Sequence, residues 1–234
     1  MKAEVLADAR SLAKRAAGII AEQARACFAA RRRFVMAVSG GSTVRTMLRM
    51  LGQEEIPRGG VYVVQGHERI GPIDNRDSNL PDVRQALMED TPINPKNIYP
   101  MPVHLPDPNA AAEQYAGTLQ GLCGNPPIID LVQLELFSSG RTAALLAGDP
   151  VLEVMDHDVA VTEIHEECRR MTLTYPALNR ARQILWMVTR SEKRRALVQL
   201  RAGDLAIPAR VSRDQALLLM DQAAAGEHSV LIWS

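Results

Sequence analysis

Ser39-Gly40-Gly41-Ser42-Thr43 is the stretch whose residue types and spacing best suit chemistry. It follows an apolar run, Phe34-Val35-Met36-Ala37-Val38, and precedes a helical pattern through Met47, Leu48 and Leu51. Paired glycines allow positive φ and let a ligand approach the backbone. Ser42 and Thr43 can cap the helix and offer hydroxyls to an oxyanion. The first N–H groups of a helix are unpaired and carry its positive dipole end, so the turn suits a phosphate. A tight turn with a helix cap and no ligand explains the same residues. The pattern is neither a Walker A loop nor G-x-G-x-x-G, which argues against nucleoside triphosphates and dinucleotides.

Such a turn has to be held by a strand and a helix, and the chain holds more of both. Val5, Ala9, Leu12, Ala16, Ile19 and Ile20 keep a helical period over residues 3–30, extended by Cys27 and Phe28. Arg31, Arg32 and Arg33 suit that helix's C-terminus. Val61-Tyr62-Val63-Val64 predicts a strand ending in Gln65-Gly66-His67-Glu68-Arg69. Further strands are expected near 98–101, 129–136, 159–164, 184–189 and 230–233, with Trp186 and Trp233 in the core. Helices are expected over 79–89, 110–122, 191–202 and 213–224. This alternation predicts a single α/β domain over residues 1–234, with a mainly parallel twisted sheet and helices on both faces. In such sheets ligands lie beyond the carboxyl ends of the strands. The Ser39 loop, the Gly66–Arg69 loop and the Phe137–Arg141 loop should therefore converge.

Composition narrows the classes. The 234 residues are 47% hydrophobic and 23% charged, an ordinary globular balance that needs no disulfide or metal staple. Cys27, Cys123 and Cys168 are an odd, widely spaced set, matching neither a disulfide framework nor a zinc knuckle. Lysine plus arginine and aspartate plus glutamate both number 27, so no net charge draws in nucleic acid or an anionic membrane. No apolar run reaches the length of a membrane span and no signal-peptide core is seen, so a cytoplasmic location is expected. His157, Asp158, His165, Glu166, Glu167 and Cys168 include metal-ligand types, but their spacing matches no metal motif, and no metal is expected.

Five segments together carry a resemblance. They are Val38-Ser39-Gly40-Gly41-Ser42-Thr43; Gly66-His67-Glu68-Arg69 with Asp77-Ser78-Asn79; Asp130-Leu131-Val132 leading to Gly140-Arg141-Thr142-Ala143; Arg170-Met171-Thr172-Leu173-Thr174 with Pro176-Ala177-Leu178-Asn179; and Ser191-Glu192-Lys193. In order and spacing they resemble the 6-phosphogluconolactonases, whose wider superfamily includes glucosamine-6-phosphate deaminases. The resemblance implies hydrolysis of 6-phosphoglucono-δ-lactone in the oxidative pentose phosphate pathway, with no cofactor and a phosphosugar lactone as substrate. It implies phosphate or substrate contacts at Ser39, Gly40, Gly41, Ser42, Thr43, Arg69, Arg170 and Lys193. The deaminase class is disfavoured because the R-x-T-L-T and P-A-L-N blocks look lactonase-like.

The chain departs from the family's pattern at several positions. Arg141 stands where the resemblance implies a histidine acting as base, and Ser139 where it implies an aspartate. Glu135 and Phe137 stand at glycine positions, where they should reshape the loop or fill its cavity, and His67 stands at an aspartate position. Arginine stays protonated, so Arg141 cannot be the base and instead suits a substrate anion. Two readings follow. The base is relocated to His67, which titrates near neutrality, or turnover is weakened or lost and the chain binds a sugar phosphate or a protein partner. Glu68 is a weaker candidate that suits a structural role.

Overall fold

A computed structural model describes residues 1–72, 78–89 and 93–226. Strand β1 (Lys2–Leu6) is followed by α1 (Ala9–Arg31), β2 (Phe34–Val38), α2 (Ser42–Leu51), β3 (Val61–Gln65) and β4 (His67–Arg69). Then come α3 (Leu80–Glu89), β5 (Ile98–Tyr99), α4 (Pro108–Cys123), β6 (Leu131–Glu135), β7 (Val159–Val161) and β8 (Arg170–Leu173). The last elements are α5 (Tyr175–Asn179), β9 (Ile184–Val188), α6 (Arg194–Ala202), β10 (Ala216–Asp221) and α7 (Gln222–Ala225).

Seven strands form one sheet in the order β1-β10-β9-β6-β2-β3-β5, and every pairing in it is parallel. This is the mainly parallel α/β sheet expected from the alternation. A second, three-stranded sheet, β4-β8-β7, is antiparallel and was not foreseen.

Strand side chains alternate between faces, so the parallel sheet divides two cores. Phe34, Met36 and Val38 of β2 face one core with Leu12 and Ile20 of α1, Met47 and Leu48 of α2, and Leu87 of α3. Val35 and Ala37 face the other, with Tyr115 and Leu119 of α4, Leu197 of α6 and Trp186 of β9. Burial on both faces is why these strands read as continuous apolar runs.

Two expectations are corrected. Residues 3–7 are not helical. β1 pairs with β10, and α1 begins only after Asp8, whose carboxylate accepts a 2.7 Å hydrogen bond from the Ser11 N–H. Residues 213–224 are not one helix. Ala216-Leu217-Leu218-Leu219-Met220 has high helix propensity, but it is an inner strand between β1 and β9, and packing outweighs propensity. The expected strand at 230–233, Trp233 and Asp77 all lie outside the described residues. Trp186 is in the core.

Candidate functional site

The carboxyl ends of β2, β3 and β6 open onto a cleft of about 210 Å³. The three expected loops meet there. Gly40 and Gly41 enter from the turn after β2, His67 and Arg69 from β4, and Phe137 and Arg141 from the loop after β6. β8 adds Arg170, which is buried. Asn79, just before α3, also lines the cleft, packed so closely that a Cβ on Gly40 would overlap its side chain.

Glu68 shapes the loop from behind. It is buried and accepts hydrogen bonds from Gln65 Nε2, the Arg69 N–H, Ser78 Oγ, and the Asn79 and Leu80 N–H groups, all between 2.7 and 3.0 Å. A carboxylate so fully engaged orders the backbone around Arg69 and Asn79.

Ser39, Ser42 and Thr43 lie elsewhere. Ser39 is buried, its N–H donating to Gln133 Oε1 at 2.9 Å and its hydroxyl to the Gln133 carbonyl at 3.3 Å. The α2 N-cap is Gly41, at φ 107°, and no side chain caps the helix. Ser42 and Thr43 are thus already helical, and they line a separate cleft with Thr46, Thr189, Arg10 and Arg190. The capping role expected of them is corrected on this geometry.

Charge dominates the main cleft. Arg170 donates to the Glu166 carboxylate at 2.7 Å and to the His165 carbonyl at 3.0 Å. Arg141 lies 3.9 Å from the same Glu166 oxygen. Its guanidinium also stacks over the Phe137 ring, 3.9 Å from the centroid, with Lys193 Nζ 5.0 Å from that ring. Lys193 donates to the Leu136 carbonyl at 2.6 Å. Phe137 thus contacts two cations. Ala143, at φ 47°, keeps a strained backbone at the cleft wall.

Among the groups that line the cleft, His67 and Glu135 depart strongly from their ordinary titration. Burial, then the guanidiniums of Arg141, Arg170 and Arg69, push the His67 imidazole down to about 3. Its Nδ1 is buried without a partner among the described residues. A neutral imidazole of such low basicity differs from the titration near neutrality expected of a relocated base. Burial pushes the Glu135 carboxyl up to about 7, against the opposing pull of Lys193 and Arg190. Glu135, expected to reshape the loop or fill its cavity, lines the cleft. The signal for its placement was available in the period-two row Leu131, Gln133, Glu135.

The model of the family described as glucosamine-6-phosphate isomerases/6-phosphogluconolactonase matches residues 7–220. The 6-phosphogluconolactonase of Synechocystis sp. is 32% identical over 230 residues, covering 94% of this chain and 95% of that one. The chain belongs to the 6-phosphogluconolactonase family. The family's Nostoc sp. member is likewise 32% identical, over 97% of this chain and 98% of its own. The 6-phosphogluconolactonase structure from Trypanosoma cruzi superposes with a TM-score of 0.86 over 97% of each chain at 24% identity, a likeness of fold. No helix among the described residues is long and apolar enough to cross a membrane.

Proposed function

We propose that the chain hydrolyses 6-phosphoglucono-δ-lactone to 6-phosphogluconate, a step of the pentose phosphate pathway. The full-length 32% identity to the Synechocystis and Nostoc enzymes carries this reading. The cleft supports it. Arg69, Arg141 and Arg170 gather positive charge where the strand ends converge, and Lys193 stands behind Phe137. A phosphosugar brings the matching dianion, and guanidiniums bind phosphate with paired, charge-assisted hydrogen bonds. The same cations stabilise the oxyanion that forms when water adds to a lactone carbonyl.

Gly40, Gly41, Arg69, Arg170 and Lys193 form the phosphate-side contacts in this reading. Ser42 and Thr43, which line the second cleft, contribute through the backbone at the start of α2. Arg141 takes the role of an anion contact.

A lactonase assay corrected for spontaneous ring opening tests the reading. Catalysed opening of the δ-lactone supports it. Binding of 6-phosphogluconate without turnover would replace it with a sugar-phosphate-binding role, and the absence of both would point to a protein partner.

A further inference from the structure

We propose that Glu135 is the general base of the hydrolysis, taking the proton from the attacking water at the α2 end of the cleft. The proposal rests on the lactonase reading. It begins from the alternation along β6. Leu131, Gln133 and Glu135 share one face. Leu131 packs in the core beneath α1 and α2, Gln133 holds Ser39, and Glu135, at the strand's carboxyl end, comes out beside Gly41. A Cβ on Gly41 would lie only 2.8 Å from Glu135 Oε2, so the carboxylate stands directly against the first turn of α2.

Glu135 is the sole carboxylate among the described residues that line this cleft. No described residue is seen to donate a hydrogen bond to it; burial and the charges of Lys193 and Arg190 act on it. The neighbouring carboxylates are committed elsewhere: Glu68 is saturated by five donors and Glu166 is held by Arg170. The other titratable groups of the cleft serve poorly as bases. Arg69, Arg141 and Arg170 stay cationic, and His67 is neutral and weakly basic. A carboxyl that titrates near 7 can both accept and return a proton at working pH.

The step balances within the site. Water oxygen bonds to the lactone carbonyl carbon as one water proton passes to Glu135 Oε. The tetrahedral oxyanion collapses, the bond from that carbon to the ring oxygen breaks, and Glu135 returns the proton to the ring oxygen. The new carboxylic acid then ionises into solvent.

Lactone hydrolysis against pH, measured for wild type, Glu135→Gln, Glu135→Asp and Glu135→Gly, tests this. Charged groups facing Glu135 are Lys193 and Arg190 after β9, with Arg69 of β4, Arg170 of β8 and Arg141 of the loop after β6; His67 of β4 is the neutral titratable group. The wild-type rate should fall on the acid side of about pH 7. Glu135→Gln should lower kcat by about 10²–10⁴-fold and remove that limb, with 6-phosphogluconate affinity kept. Glu135→Asp should retain partial rate with a displaced limb, and formate should partly rescue Glu135→Gly. If Glu135→Gln does not fold, the Glu135→Asp limb decides: a shift supports the proposal and an unmoved limb overturns it. A wild-type rate in Glu135→Gln, or a Glu135→Gly faster than wild type, overturns it by showing a bystander or an obstruction. No catalysed hydrolysis by wild type overturns the lactonase reading itself, and this proposal with it.

Discussion

The guanidinium carbon of Arg141 lies over the ring of Phe137, 3.9 Å from the ring centroid. Phe137 in turn comes within 5.0 Å of Lys193 Nζ, so one ring meets two cations. Changing Arg141 to histidine alone puts an imidazole onto this aromatic platform beside a carboxylate, Glu166, that Arg170 already engages. Arg141→His is therefore expected to raise lactone hydrolysis by less than about 10-fold, since a catalytic group misplaced by about 1 Å loses most of its effect. Initial rates corrected for spontaneous opening check this. A larger gain would show that residue 141 needs no partner to act as base.

His67 should stay neutral well below pH 6. Its pKa, lowered to about 3, lies under the unfolded value of 6.5. The folded state therefore loses stability as pH falls from about 6.5 towards 3, because the unfolded chain takes up the proton first. His67→Asn should remove this part of the acid sensitivity and leave the rate–pH profile near 7 unchanged. Urea midpoints between about pH 4 and 7, with NMR titration of the imidazole, measure both. A His67 signal titrating near 6.5 would refute it.

Glu135 has the opposite sign. Its pKa, raised from 4.5 to about 7, means that its contribution to stability is greatest below about 4.5 and is lost as pH rises to 7. Glu135→Gln should be more stable than wild type above pH 7, by about 1–3 kcal/mol, with the difference shrinking on acidification. Equal urea midpoints at about pH 8 would contradict this.

Lys193 has three donors and spends one on the Leu136 carbonyl, which leaves two for an anion. Lys193→Ala should weaken 6-phosphogluconate binding by about 10-fold, the scale of one charged hydrogen bond. Calorimetric titration of wild type and variant checks it, and equal affinities would remove Lys193 from the phosphate site.

Ser42→Ala and Thr43→Val are expected to change that affinity by about 2-fold or less, because both residues line the cleft of Thr46 and Arg190 and not the main one. A loss comparable to that of Lys193→Ala would return these hydroxyls to the site.

Much of this was legible in the residues. The Ser39–Thr43 turn sits between a buried strand and a helix, as its glycines and flanking apolar runs implied. The rule that parallel strands present ligands at their carboxyl ends placed three loops in one cleft. Local pattern could not reveal β10, where alanine, leucine and methionine favour a helix until two neighbouring strands claim them. Nor did it separate Glu135 from Ser39. Both stand near the glycines, yet one lines the cleft and the other is held by Gln133, a distinction set by cross-strand geometry.

The position of β10 orders the events of synthesis. It lies between β1, made first, and β9, and Leu6 is matched with Asp221. Until residues 216–221 have left the ribosome, β1 has no neighbour among the described strands and β9 presents an open edge of unpaired amides and carbonyls. β1 waits for its place until β10 has been made. Assembly of this part of the sheet therefore follows the synthesis of β10, and a chain stalled before Ala216 exposes a ready template for pairing with other chains.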